Sequence, residues 1–217
     1  ECVRTIRTSV MLSSIDTTHK VVVVTSSIPG EGKSTTSINL ADALNQMEKT
    51  LLIEADMRRP TISKILGLAP GTPGLANLIA GSNTLEECTQ SLYGGIDTIV
   101  AGVVPPNPLE LISSDSFRNL IKQLSDKYDR IIIDSPPVQA VSDSIVLSSF
   151  ADSVIYVIKS ESTDARIVEK GVGKLLQSSA PVRGVILNQV DIKKAKQKGY
   201  SYDGYYDYYG YTNTKTS

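Results

Sequence analysis

Ser27-Ile28-Pro29-Gly30-Glu31-Gly32-Lys33-Ser34 stands between two segments of different periodicity. Before it, Lys20-Val21-Val22-Val23-Val24-Thr25-Ser26 is apolar and β-branched without alternation, the pattern of a strand buried on both faces. After it, Ile38, Leu40, Ala41, Leu44 and Met47 recur at helical spacing and predict a helix over 35–47. Strand, glycine-bearing turn, Gly-Lys-Ser and helix form the context that a phosphate-binding loop requires. Glycine lets the backbone curl close to an anion. The first N–H groups of the helix have no partner within it, so they point at that anion with the helix dipole behind them. Pro29, Gly30, Glu31, Gly32, Lys33, Ser34 and Thr35 are thus the expected cradle of a nucleotide's phosphates. Lys33 is expected to reach the β- and γ-phosphates and the Ser34 hydroxyl to bind Mg²⁺. Ser27 stands where the usual pattern carries Gly, and it is small enough for the loop to close. An ordinary strand-turn-helix with a chance Gly-Lys-Ser is the alternative, and the agreement of motif with context argues against it.

The totals bound the rest. A chain of 217 residues suffices for one α/β domain with a sizeable core. Its 22 Lys and Arg against 23 Asp and Glu leave a net charge of −1, so nothing points to a nucleic-acid partner. No apolar run approaches the ~20 residues of a membrane span, and no signal peptide is visible. Cys2 and Cys88 are too few for a disulfide framework or a metal cluster and read as two free thiols in a reducing compartment. The aromatic balance is unusual: 10 Tyr against 2 Phe and no Trp. Glu1 falls in the middle of an apparent helix, so the chain is expected to be a fragment of a longer protein.

In that first helix Val3, Ile6, Val10 and Met11 share a face, while Glu1, Arg4 and Arg7 cluster on another side. On spacing alone this second cluster reads as a solvated face rather than a subunit contact. A second buried strand, 50–56, ends in Glu54 and Asp56, which alternation puts on the same side. Carboxylates at the C-terminal end of a parallel strand lie at the edge where such sheets bind ligands. Met57-Arg58-Arg59-Pro60 follows, and Pro60 suits the start of a helix over 61–66. Residues 67–95 read as loop-rich with one short helix, 74–80. A strand over 96–102, a rigid Val104-Pro105-Pro106-Asn107-Pro108 connector and a helix over 109–128, broken near Ser113-Ser114-Asp115, come next.

Arg130-Ile131-Ile132-Ile133-Asp134, followed by Ser135-Pro136-Pro137, resembles a Walker B strand, whose Asp134 would orient a Mg²⁺-bound water beside Ser34. A helix over 142–150, a strand over 153–159, a helix over 164–177 weakened by Gly171 and Gly173, and a strand over 184–191 complete the series. Asn188, in the last strand, could read the base edge of a nucleotide. Alternating strands and helices imply an α/β fold: a P-loop NTPase-like, mostly parallel sheet with helices on both faces.

Residues 192–217 change character. Lys193, Lys194, Lys196 and Lys198 form a basic linker. Tyr200, Tyr202, Tyr205, Tyr206, Tyr208, Tyr209 and Tyr211 then lie within twelve residues, among Gly, Ser and Asp and without an aliphatic side chain. Such a segment cannot build a core and is expected to be flexible. It is a generic sticky tail, a base-stacking platform lacking its basic groove, or a cluster of phosphate acceptors. Only the last explains why Tyr recurs where Phe and Trp do not. The expected division is a nucleotide-binding domain over 1–191 and a tail over 192–217.

These pieces together resemble the bacterial tyrosine kinases, the cytoplasmic kinase domains of polysaccharide co-polymerases in capsule, exopolysaccharide and biofilm synthesis. The resemblance covers nearly the whole chain. It rests on Glu1-x-x-Arg4-x-x-Arg7, the phosphate loop, Ile53-Glu54-Ala55-Asp56-Met57-Arg58-Arg59-Pro60, Asn107-Pro108-Leu109-Glu110-Leu111, Asp134-Ser135-Pro136-Pro137 and the tyrosine cluster. It implies an ATP- and Mg²⁺-dependent protein-tyrosine kinase with Lys33, Glu54, Asp56, Arg58 and Asp134 as catalytic residues and Ser34, Asp56 and Asp134 serving Mg²⁺. It also implies a homo-oligomeric ring, an octamer in the family, joined through Glu1, Arg4 and Arg7, with each tail entering the neighbour's active site. A transmembrane and periplasmic part in the full-length protein, a cognate tyrosine phosphatase and a place as the cytoplasmic domain of an inner-membrane protein follow as well. Relatives often carry Asp where Glu54 stands, which leaves open whether Glu54 or Asp56 takes the tyrosine proton. The rival is a positioning ATPase of the MinD/ParA type, without a protein acceptor. Its phosphate loop carries a lysine immediately after the first small residue, where this chain has Ile28.

Overall fold

In a computed structural model, which describes residues 2–12, 19–92, 94–191 and 194, the chain alternates helices and strands. It runs α1 (Cys2–Leu12), β1 (Val21–Ser26), α2 (Lys33–Asn45), β2 (Thr50–Glu54), α3 (Ile62–Ile65), α4 (Leu75–Ala80), α5 (Leu85–Cys88) and β3 (Thr89–Ser91). Then come β4 (Asp97–Ile99), α6 (Pro108–Ile112), α7 (Asp115–Lys127), β5 (Arg130–Asp134), α8 (Asp143–Ser148), β6 (Ser153–Lys159), α9 (Ala165–Gln177) and β7 (Val182–Asn188). One sheet has the order β3-β4-β2-β5-β1-β6-β7, and every pairing is parallel except β3 with β4.

The central strands β2, β5 and β1 are buried along their whole length, so their apolar runs face helices on both sides. Val21, Val23, Leu51, Ile53, Ile131 and Ile133 pack against Phe117, Ile121 and Leu124 of α7 and Leu175 of α9. Val22, Val24, Leu52 and Ile132 pack against Leu40 and Leu44 of α2 and Val10 of α1. The helix expected over 109–128 is two helices. Ser114 breaks it by capping α7, its Oγ accepting from the Phe117 amide at 3.2 Å. β3 was not expected, because Thr89-Gln90-Ser91 carries no apolar residue and its pairing lies at the sheet's edge.

α1 lies against α2, with Val10 buried and Ile6 and Met11 packed on the same core layer. Of the three residues expected at a subunit contact, Arg7 donates to the Ala43 carbonyl of α2 at 3.1 Å, Arg4 is exposed, and Glu1 lies outside the described residues. Arg7 thus acts first as a clasp within the chain. The seven tail tyrosines also lie outside the described residues. Cys2 and Cys88 are free thiols, as expected. Among the described residues no helix is long and apolar enough to cross a membrane.

Gly171, which weakens α9 on propensity alone, has a packing reason. A Cβ there would lie 2.0 Å from the Tyr156 hydroxyl oxygen, which is buried under the helix. Gly171→Ala is expected to cost about 1–3 kcal/mol in urea unfolding, as overpacking does. Adding Tyr156→Phe, which removes that oxygen, is expected to recover part of the loss.

Candidate active site

Parallel register brings three strand ends together. Val24 of β1 and Glu54 of β2 both pair with Asp134 of β5. The phosphate loop follows β1, Asp56 follows β2 and Asp134 closes β5, so all three meet at the C-terminal edge of the sheet. This is where open α/β sheets bind ligands.

Gly30 and Gly32 both take left-handed conformations. At Gly32 space matters as well, since a Cβ would meet the Asn188 amide nitrogen at 2.2 Å. That nitrogen donates to the Glu31 carbonyl at 2.9 Å, and the Asn188 oxygen accepts from the Gln189 amide. Asn188 therefore fastens the end of β7 to the phosphate loop, and its second N–H is what it can offer a base. Ser27, the departure from the usual glycine, is buried and accepts from the Tyr156 hydroxyl at 3.1 Å. A glycine there would leave that hydroxyl without this partner.

Glu31, expected in the phosphate cradle, turns its side chain away from it. The buried carboxylate accepts from the Ile28 amide at 2.8 Å, the Thr163 hydroxyl at 2.6 Å and the Lys159 amide at 3.3 Å. It braces the loop on itself and on the turn between β6 and α9, leaving only its backbone for a phosphate.

Behind the loop lies a compact charged group. The Lys33 ammonium stands 3.2 Å from Asp56 and 3.5 Å from Asp134. The Ser34 hydroxyl donates to Asp134 at 2.7 Å, and the Ser37 hydroxyl, one turn further along α2, lies 3.2 Å from its other oxygen and shares its one proton with the Lys33 carbonyl at 3.0 Å. Ser37 was missed by sequence reasoning; its signal is its place on the same helical face as Ser34. Asp134 is wholly buried. Burial pushes its carboxyl up to about 6 against the pull of Lys33 and the Ser34 hydrogen bond, and the charges of Asp56 and Glu54 add to the rise. Lys33, Asp56 and Asp134 together leave an excess of negative charge, with a hydroxyl beside it. These hard oxygen donors suit Mg²⁺. They fit the ion expected there, with Ser34, Asp56 and Asp134 as the residues that would hold it.

Two expected catalytic residues are placed otherwise. Glu54 is fully buried, and its carboxylate accepts from the amides of Thr61 and Ile62 at the start of α3 and from those of Ser63 and Ala101. It is a helix cap and a loop anchor, its oxygens taken up by these amides. Arg58 grips Asp143 at the start of α8 through two hydrogen bonds of 2.8 and 3.1 Å, which raises its already high pKa. It pins the segment that carries Asp56; the Asp56 oxygen free of Lys33 accepts from the Arg59 amide. Of Glu54 and Asp56, it is Asp56 that pairs with the Lys33 ammonium. Glu54→Gln, which turns an NH₂ toward amide donors, is expected to lower stability in urea unfolding by about 1–3 kcal/mol, as leaving a buried donor unpaired does.

A family model described as an AAA domain matches residues 19–192. Tyrosine-protein kinase YwqD of Bacillus subtilis is 37% identical over 199 residues, covering 91% of this chain and 84% of that protein. Tyrosine-protein kinase etk of Escherichia coli K12 is 36% identical over 204 residues, covering 93% of this chain and 28% of that longer protein. Among solved structures, the VpsO kinase domain matches with a TM-score of 0.81 at 46% identity, over 87% of this chain and 94% of that one. The kinase domain of Escherichia coli tyrosine kinase ETK matches with a TM-score of 0.83 at 34% identity, over 87% and 74%. A plasmid partition protein of Borrelia burgdorferi, at a TM-score of 0.60 and 19% identity over 82% and 85%, shows only that the P-loop NTPase-like fold is shared. The 53–60 segment and the phosphate loop thus stand within a similarity that runs nearly the length of the chain, and the chain belongs to the bacterial tyrosine-protein kinases.

Proposed function

We propose that this domain transfers the γ-phosphoryl group of ATP to the tyrosines of the C-terminal cluster of a second copy of itself. The observation that carries this is the Lys33 ammonium held between Asp56 and Asp134 at the root of the phosphate loop. When phosphates arrive, Lys33 turns from the carboxylates to the β- and γ-oxygens. Asp56 then loses its lysine partner and, besides its share in holding Mg²⁺, keeps carboxylate lone pairs that can act as a base beside the reacting phosphorus. It accepts the proton of a tyrosine hydroxyl, whose ordinary pKa is about 10, as the tyrosine oxygen bonds to the γ-phosphorus and the bond to ADP breaks. Asp134 stays in place through Ser34 and Ser37. Magnesium, when bound, neutralises charge on the β- and γ-oxygens. Positioning and charge stabilisation do the rest, because this transfer needs little covalent help.

Tyr200, Tyr202, Tyr205, Tyr206, Tyr208, Tyr209 and Tyr211 are the acceptors, and residues 192–217 form the tail that delivers them. Each phosphotyrosine adds about −1.5 to −2 charges. Four would add about −6 to −8 to a chain at −1. Such tails repel one another, so phosphorylation loosens a ring joined through α1, and the cycle between the two states controls exopolysaccharide or capsule export. Family resemblance supports the ring, its membrane anchor and an opposing phosphatase. The positioning-ATPase alternative is disfavoured by Ile28 and by a tail it would not need.

Incubation of the full chain with Mg-ATP, followed by intact mass, tests the reading. Added phosphoryl mass on the tail is expected for the wild type and none for Lys33→Met. Free phosphate with an unmodified chain would instead support the positioning ATPase, and neither product would point to a non-catalytic interaction module whose tail merely docks partners. Asp56→Asn is expected to slow transfer by about 10²–10⁴-fold, the contribution of a general base, with nucleotide still bound. Sizing is expected to show the fully phosphorylated protein less oligomeric than the dephosphorylated one.

A further inference from the structure

A cavity of about 530 Å³ beside the phosphate loop has no part in the charged group described above. It is lined by Ile28, Gln139, Asp164, Arg166, Ile167 and Lys170. Its size lies within the ~300–1,000 Å³ of ligand pockets. We infer that it seats a tyrosine side chain from the 200–211 segment of a second copy of this chain, and so holds the acceptor tail next to the ATP site. This rests on the reading that the tail is the acceptor, and it adds where the tail is gripped.

The walls are built rather than incidental. Gln139 ties them together: its amide donates to the Ser27 carbonyl at 3.2 Å and its side-chain nitrogen to the Ile167 carbonyl at 3.0 Å. Its side-chain oxygen accepts from Lys174 at 3.0 Å. The cavity therefore keeps one fixed relation to the phosphate loop, of which Ile28 is itself a member. Ile28 and Ile167 supply apolar surface, and Ile167 remains 38% exposed. An aromatic ring covers such surface and leaves its hydroxyl at the rim.

Charge selects which aromatic segment enters. Arg166, Lys170 and Lys174 recur every fourth residue and share one side of α9. Asp164, the acid of the lining, is occupied: it caps α9 through the Arg166 amide and pairs with the Arg166 guanidinium at 3.3 Å. Lys170, the lining cation left over, thus sets the sign of the rim, with Lys174 behind it on the same side of α9. The 200–211 segment offers seven tyrosines with Asp203 and Asp207 among them, and no Lys, Arg or aliphatic residue. With one ring seated, the other tyrosines are kept at high effective concentration near Asp56. The cavity should therefore govern the apparent affinity for the acceptor and leave the chemical step alone.

The test uses full-length chains: unlabelled enzyme and an isotope-labelled Lys33→Met acceptor, mixed with Mg-ATP over a range of acceptor concentrations. Ile167→Ser in the enzyme is expected to raise the acceptor KM about tenfold, the loss of an apolar contact, and Lys170→Glu about two- to fivefold, the loss of an exposed charge pair. The kcat and nucleotide affinity are expected to hold. Asp203→Lys with Asp207→Lys in the acceptor is expected to restore a low KM to the Lys170→Glu enzyme. Wild-type KM in both variants would overturn the proposal, as would a fall in kcat with KM unchanged. Failure of the charge-reversed tail to rescue would show that the cavity seats another part of the second copy and would overturn it too. An unmodified labelled acceptor with wild-type enzyme would refute the acceptor reading itself, a separate outcome from any shift in KM.

Discussion

A carboxylate taken wholly out of water needs its charge met from several directions, and Asp134 is where this chain meets that demand. The cost of burying an unpaired charge is several kcal/mol. Ser34, Ser37 and Lys33 answer it from one helix, and the strand that carries Asp134 is held between β1 and β2. The arrangement works only if α2 begins where it does and if the three strands lie in register. Core packing and site geometry are thus the same requirement seen from two sides. The excess negative charge that remains is a standing demand for a cation.

Around this centre, acidic side chains serve as backbone acceptors. Glu31 gathers the amides of Ile28 and Lys159, and Glu54 those of Thr61, Ile62, Ser63 and Ala101. Arg58 and Asp143 join the segment after β2 to α8. Hydrogen bonds to charged groups, worth more than neutral ones, help hold the loops at this edge of the sheet. A loop held in this way keeps its shape before a ligand arrives, which lowers the ordering cost of binding.

The departure from glycine at position 27 belongs to a separate adjustment. Tyr156 passes under α9, Gly171 makes room for its ring, and Ser27 receives its hydroxyl. A change at any one of these places is felt at the other two. The phosphate loop is thereby coupled to α9, the helix that also lines the cavity beside it.

Sequence by itself determined the order of the central strands and of the longer helices, the phosphate loop, and Asp134 with the Glu54 and Asp56 pair as the acids near it. These rest on local facts: runs of β-branched residues, helical spacing, and a glycine turn between them. Tertiary structure alone decided which carboxylate does what. Glu54 and Asp56 are equivalent by alternation, yet one caps a helix and the other meets Lys33, because their partners come from residues far along the chain. Arg58 finds Asp143 and Glu31 finds Thr163 for the same reason, and β3 forms by pairing although its side chains announce nothing. Periodicity records what a residue does for its own element; the charge and hydrogen-bond partners that define its chemistry are brought to it only by the fold.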